Sequence, residues 1–250
     1  MPLVETESLV LKSHNLAEAD RIVIFFTRDQ GIVRGVAKGA KRLKSRFGSG
    51  LEPFSKVTLE YFQKEDRDLV SIQRVELLSS RFEAASDPLF LQTFSYIADL
   101  LISFMPPNDP NEKLYRMVDA CVEAATVPPV DLAIIRLYFE LWLLRLGGYL
   151  PDWNVCEVCK QNLTADEMAY VKSDFHLSCS TCRRSQSSVA VTQLHRQIFQ
   201  EAQRISPSEF VAAMSGNLDA VTEVSAILKR LISGVIGREV ASEKSFAVNF

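Results

Sequence analysis

An OB-type barrel of five strands at the N-terminus, an α-helical bundle after it and a four-cysteine ribbon inserted into that bundle make up the plan the sequence predicts, an α+β multidomain protein. Three observations carry it. The first 80 residues contain five short runs rich in β-branched and aromatic side chains. From Asp87 onward the apolar residues recur with the period of helices. Four of the five cysteines then fall into two CxxC pairs. A chain of 250 residues has room for two modest domains. The expected division is a barrel at 1–80 and a helical domain at 81–250, with the ribbon inserted at 153–185.

The strands are expected at Ser8 to Lys12, Arg21 to Thr27, Ile32 to Ala37, Lys56 to Phe62 and Leu69 to Val75. Turn residues separate them, as in Asp29-Gln30-Gly31 and Gly48-Ser49-Gly50. Five strands in so short a stretch fit a closed OB barrel, with an SH3-like barrel as the nearest competitor. Asp87-Pro88 and Asp109-Pro110 each place a capping carboxylate before a proline suited to a first helical turn. The first helix carries Phe90, Phe94, Ile97, Leu101 and Phe104 on one stripe, and the second Leu114, Met117, Cys121 and Ala125. Cys121 on that stripe reads as plain core. The third, Val130 to Leu146, is apolar nearly all round and reads as the centre of a bundle, ended by Gly147-Gly148. Helical pattern resumes from Thr192 to Ile205, and Ser206-Pro-Ser-Glu209 reads as a capping box. A last long helix presents Val221, Val224, Leu228, Leu231 and Val235, and the tail from Glu243 reads as loose.

Composition narrows the function classes. Hydrophobic residues at 47% and charged ones at 24% fill a real core and argue against disorder. The first residues lack the succession of a secretory signal. The most apolar segment is interrupted by Arg136, Glu140 and Arg145, which a membrane span would have to bury. The expectation is a soluble, cytoplasmic protein. The net charge of −3 is unevenly spread, because residues 1–80 carry 13 basic and 11 acidic side chains.

Cys156-Glu-Val-Cys159 and Cys179-Ser-Thr-Cys182 are separated by 19 residues. A CxxC turn lets two sulfurs meet one ion at tetrahedral angles, and two such turns close a four-sulfur site with no open position. One structural zinc ion is therefore expected on Cys156, Cys159, Cys179 and Cys182. The spacer fits a hairpin, Met168 to Lys172 and Phe175 to Ser178 about a Ser173-Asp174 turn. Paired disulfides are disfavoured, since nothing points to an oxidising compartment. His176 reads as a surface residue of the hairpin, and His14 and His195 as structural. No GxxxxGK[ST], HExxH or GxSxG occurs, so no catalytic group can be named and an enzyme is not expected.

Gln30 to Leu51 holds Arg34, Lys38, Lys41, Arg42, Lys44 and Arg46 without one acid, and glycines punctuate it. Such a focused patch attracts a polyanion whatever the overall charge. Lys and Arg neutralise phosphates and release counterions, and Phe47 is a candidate to stack on an unpaired base. The alternative is a solvated loop with Phe47 tucked into the barrel.

Taken together, these residues resemble the bacterial RecO family of recombination mediators over essentially the whole chain. The likeness runs from Glu7-Ser-Leu-Val-Leu-Lys through Asp29-Gln-Gly-Ile-Val-Arg-Gly-Val-Ala-Lys-Gly-Ala-Lys-Arg, Lys44-Ser-Arg-Phe and Leu51-Glu-Pro-Phe. It continues through Phe139-Glu-Leu-Trp-Leu-Leu-Arg-Leu-Gly-Gly-Tyr-Leu-Pro, directly followed by the double CxxC. Many zinc-bearing members have glycines shortly before the third cysteine, where this chain has Phe175-His-Leu-Ser; the departure concerns the turn and not the ligands. The resemblance implies a protein of DNA repair and recombination that binds single- and double-stranded DNA and anneals complementary strands. With RecR, such proteins help load RecA onto DNA coated by single-strand-binding protein, associated with the nucleoid when on DNA. It also implies that the helical domain takes the acidic, phenylalanine-ended tail of single-strand-binding protein. Arg136, Tyr138, Trp142 and Arg145 are the candidates for that contact. A protein-interaction adaptor with no direct DNA role is the competing reading.

Overall fold

The computed structural model describes residues 3–16, 18–63, 68–125, 129–164, 167–171, 176–184 and 188–237. They fall into two compact units, one reaching to Val127 and the other from Pro128 to Glu239.

The first unit is built on five strands: β1 (Leu3–Asn15), β2 (Arg21–Thr27), β3 (Gly31–Ala37), β4 (Lys56–Phe62) and β5 (Leu69–Ser79). They form a closed barrel in the order β1-β2-β3-β5-β4, the OB arrangement, with β3 and β5 parallel and the other pairs antiparallel. The long β1 makes closure possible. Its first half, Leu3–Leu9, pairs with β4, and its second half, Ser8–Asn15, pairs with β2 across an irregularity at Val10/Lys12. Such a bulge bends a strand round a barrel corner. Gly35 sits where β3 meets β5, and a Cβ there would lie 2.7 Å from Ile72 Cγ1. Val10, Val23, Phe25, Val57, Leu59 and Tyr61 fill the interior.

Leu9, Leu11, Ile24 and Phe26, on alternate positions, are buried as well. Two helices cover them, α1 (Pro88–Phe104) and α2 (Glu112–Ala124). Phe26 meets Tyr115 edge-on at 5.5 Å, and Phe54 lies 4.9 Å from Phe94. This is why the strands read as continuous apolar runs and not as alternation. Ion pairs run along the margin: Lys12 with Asp99, Arg28 with Glu112 at 2.7 Å, and Lys56 with Asp119 at 2.7 Å and Glu7 at 3.5 Å. Asp87 caps α1 as expected, accepting from the Leu89 and Phe90 N–H groups. The expected cap of α2 is corrected: Asn111 accepts from Leu114 N–H, and Asp109-Pro110 lie before the helix. Their segment turns back to β3, where Pro107 bridges Ile32 and Asn108 N–H donates to the Ile32 carbonyl at 3.3 Å.

The second unit is centred on α3 (Pro129–Leu146), packed by α5 (Pro207–Met214) and α6 (Leu218–Ile236), with α4 (Gln193–Glu201) against α6. Gly148 at φ +74° ends α3, a conformation glycine adopts without strain. The capping box at Ser206 and Glu209 forms as the sequence predicts. A small sheet holds β6 (Ala169–Val171) between β7 (Leu177–Cys179) and β8 (Val189–Val191). The third strand was not expected from the hairpin pattern. The Ser173-Asp174 turn, Phe175 and the tail from Glu243 lie outside the described residues.

Candidate metal centre and nucleic-acid interface

The ribbon brings the four cysteines to one point. Val155 bridges Asn162, and inside that turn Cys156 N–H donates to the Gln161 carbonyl at 2.9 Å and Lys160 N–H to the Cys156 carbonyl at 2.8 Å. Lys160 takes φ +58° to make the turn. The second turn follows β7, where Cys182 N–H donates to the Cys179 carbonyl at 3.2 Å. Glu157 N–H to the Leu177 carbonyl at 2.8 Å and Cys179 N–H to Cys156 Sγ at 3.3 Å tie the two turns together. All four Sγ atoms lie within 4.8 Å of one another.

This donor set fits a metal ion. Tetrahedral bonds of about 2.3 Å put sulfurs about 3.8 Å apart, within reach of the spacing here. Burial pushes the Cys156 thiol up, but the N–H groups of Cys159, Cys179 and Val158 outweigh it and bring it down to about 6. Cys182, crowded first by the Cys179 thiol and then by burial, is held up at about 12. Four thiolates this close repel one another unless a cation lies between them. His176 stands at the exposed rim, 4.0 Å from Glu157.

α4 anchors this ribbon, which the sequence did not foretell. Buried Arg196 donates to the carbonyls of Leu163 (3.4 Å), Thr164 (2.7 Å) and Glu167 (2.9 Å), gripping the chain between the two cysteine turns. Trp153 stacks on Phe199 at 5.1 Å and Gln200 bonds Asn154. Its carbonyl partners lie about thirty residues away in the chain, so no local pattern marks it. His195 is structural as expected, reaching Glu223 at 2.8 Å while its Nδ1 accepts from Thr192 N–H.

In the other unit, the basic loop follows β3. Arg34 is half-buried on the strand, and Lys38, Lys41, Arg42, Lys44 and Arg46 are exposed. The loop is held down along its length. Gly39 N–H donates to Asp20 Oδ1 at 2.8 Å, and Lys41 N–H to the Ala19 carbonyl at 3.0 Å. This second bond sets it against the β1–β2 connection, which borders the oligonucleotide face in OB barrels. Arg46 donates to the Ile72 carbonyl at 3.2 Å and covers the Phe47 ring at 4.9 Å. Phe47 itself requires a correction: it is 3% exposed and belongs to the barrel core with Leu51 and Val75. It offers no face to a base.

Of the residues picked out on α3, Arg136 lies 3.7 Å from Glu140, and Tyr138 is buried with its hydroxyl donating to the Ile205 carbonyl at 3.0 Å. Trp142 is half-buried and donates from Nε1 to the Ala202 carbonyl at 2.7 Å. Exposed Arg145 lies over its ring at 4.8 Å. The pair that reaches the surface is therefore Trp142 and Arg145.

An OB barrel with a pinned cationic loop in one unit, and a helical unit bearing a four-cysteine ribbon that could hold a metal ion, define a multidomain barrel-and-bundle protein. Profiles of two families match nearly the whole chain, recombination protein O N terminal over residues 1–81 and recombination protein O C terminal over 86–244. The chain is 33% identical over 168 residues to the DNA repair protein RecO of Koribacter versatilis, covering 67% of each chain. It is 33% identical over 165 residues to that of Thermoanaerobacter sp., covering 65% of this chain and 66% of the relative. The Geobacter metallireducens RecO matches over 189 residues at 31%, or 76% of each. The chain belongs to the recombination protein O family. Among the described residues no helix is long and apolar enough to cross a membrane.

Proposed function

We propose that this protein is a DNA repair mediator of the cytoplasm and nucleoid that binds single- and double-stranded DNA through its barrel, residues 1–80, and promotes annealing of complementary strands. With RecR it helps load RecA onto DNA coated by single-strand-binding protein, and it needs no catalytic group to do so. The observation that carries the reading is the loop itself: six cations from Arg34 to Arg46 with no acid among them, five of them exposed on a backbone already fixed. A fixed loop loses little entropy on meeting a phosphate chain. Phe47 has no part in this, and Arg46 contributes partly as an anchor. Zinc is the metal proposed for Cys156, Cys159, Cys179 and Cys182, since a closed tetrahedral site of four thiolates suits it and leaves no position for a reacting water. For the tail of single-strand-binding protein, Trp142 supplies an apolar face and Arg145 a cation for a terminal carboxylate.

Titration of labelled single-stranded oligonucleotide and duplex at several salt concentrations tests the reading. Binding should weaken steeply with salt, and each cation neutralised to glutamine should lower the slope by about 0.7–0.9 for all sequences alike. An unchanged slope after neutralising all six would remove the loop from the interface and favour an adaptor.

A further inference from the structure

Leu43 stands at the tip of the basic loop, and among the described residues no large apolar side chain is more exposed (104%). It is not exposed because the loop is slack. Tight turns bracket it, with Arg42 N–H donating to the Gly39 carbonyl at 3.1 Å and Ser45 N–H to the Arg42 carbonyl at 2.9 Å. The loop's other apolar residues, Ala40, Phe47 and Leu51, are already packed on the barrel core. The loop therefore gives up its apolar groups to the barrel with this one exception, and holds the exception outward between exposed Arg42 and Lys44. The β1–β2 connection at the same barrel end, hydrogen-bonded to Lys41, presents a second exposed leucine, Leu16.

A fixed apolar tip ringed by cations calls for an occupant that is anionic outside and apolar within. Nucleic acid has that order, phosphates flanking a stack of bases, and leucine is among the side chains that enter base steps as wedges. We infer that Leu43 enters a stacked base step of DNA whose phosphates the neighbouring cations hold, and unstacks it. The inference rests on the DNA-binding reading above. It adds a salt-independent apolar contact and a local opening of the stack, which cations alone do not produce. Such an opening exposes base edges to a complementary strand.

The test uses the full-length protein and a single-stranded oligonucleotide with 2-aminopurine inside an adenine run, where stacking quenches its fluorescence. Emission should rise when wild-type protein saturates the DNA. Leu43→Ala should bind about three- to tenfold more weakly, since it loses apolar contact area. Its salt slope should be unchanged, because no charge is lost. At saturation its emission rise should fall to less than about half, and Leu43→Met, which keeps an apolar wedge, should restore it. Salt-dependent binding with a full emission rise in Leu43→Ala overturns the wedge and leaves the DNA-binding reading standing. Absence of salt-dependent binding by the wild type overturns both. A parallel titration with phosphatidylglycerol vesicles covers the other surface of anionic rim and apolar interior. Vesicle binding that depends on Leu43, without an emission change on DNA, would assign the tip to membranes and end the proposal.

Discussion

A carboxylate in the middle of an apolar helix is tolerable only if something answers its charge, and Glu140 is fully buried (0% exposed) on α3. Ser225 donates to it from α6 at 2.8 Å, and Arg136 Nε stands 3.7 Å away one turn back. The sequence signals this pair only negatively, as charges that forbid a membrane span. The structure shows it as a polar cross-link between two helices of the bundle. Removing Glu140 takes the nearby carboxylate from half-buried Arg136 and opens a void in the bundle core, so Glu140→Ala should cost about 3–5 kcal/mol. Ser225→Ala should cost only about 1 kcal/mol, since one hydrogen bond is lost and the ion pair remains. Replacing the whole polar set, Arg136→Met and Glu140→Leu together with Ser225→Ala, should come out near neutral, because well-packed apolar groups serve a core as well as an ion pair does. Urea unfolding of the four proteins decides it, and a Glu140→Ala protein as stable as the wild type would make the pair dispensable.

At the scale of elements, the strands, helices and cysteine turns were legible because each rests on local chemistry. Arg21–Thr27 and Lys56–Phe62 begin and end where the β-rich runs do, and Asp87 and Ser206 cap as their side chains dictate. What was not legible depended on partners distant in sequence. β1 runs to Leu3 because β4 lies beside it, and β8 exists because β6 has a free edge for Val189–Val191. Phe47 turns inward because the loop folds across the barrel end, and an aromatic in a glycine-rich loop has no period to say so. The cap of α2 moved to Asn111 because the preceding segment is drawn back to the turn before β3. Gly31 carries that contact. It takes φ +71°, and a Cβ there would meet the Asp109 carbonyl oxygen at 2.3 Å. Gly31→Ala combines positive-φ strain with a clash against backbone that cannot rotate away, and should destabilise by about 2–4 kcal/mol. Gly48→Ala is the matched control: it shares positive φ but has nothing within 4 Å, so it should show only the smaller backbone cost. Equal losses in the two, measured by thermal unfolding, would mean the approach of Asp109 is not tight.

For the whole molecule the question is how far the loss of the proposed metal should spread. The barrel has an interior of its own, from Val10 to Val75, and contains no cysteine. The ribbon has almost none, three strands of three residues each, so it depends on the sulfur cluster and on α4. Metal binding in such small elements is largely folding free energy, roughly 10–16 kcal/mol in isolated zinc peptides. Here Arg196, Trp153 on Phe199 and Gln200 with Asn154 give the ribbon a second hold, so its collapse should be partial and should reach α4. The bundle core around α3 and α6, filled by residues such as Phe139, Leu144, Val224 and Leu228, should persist. We expect one zinc per chain by elemental analysis of protein purified without added metal. In Cys179→Ser, hydrogen exchange should quicken at least about tenfold across residues 153–191 and in the first turn of α4. Exchange in β1–β5 should stay as in the wild type, and so should the salt slope of DNA binding, which the proposed function assigns to the barrel loop. Metal-free protein with reduced thiols and unaltered exchange would show that the cluster is not a metal site. Faster exchange throughout the barrel would show instead that the metal holds more of the chain than the contacts of its ribbon account for.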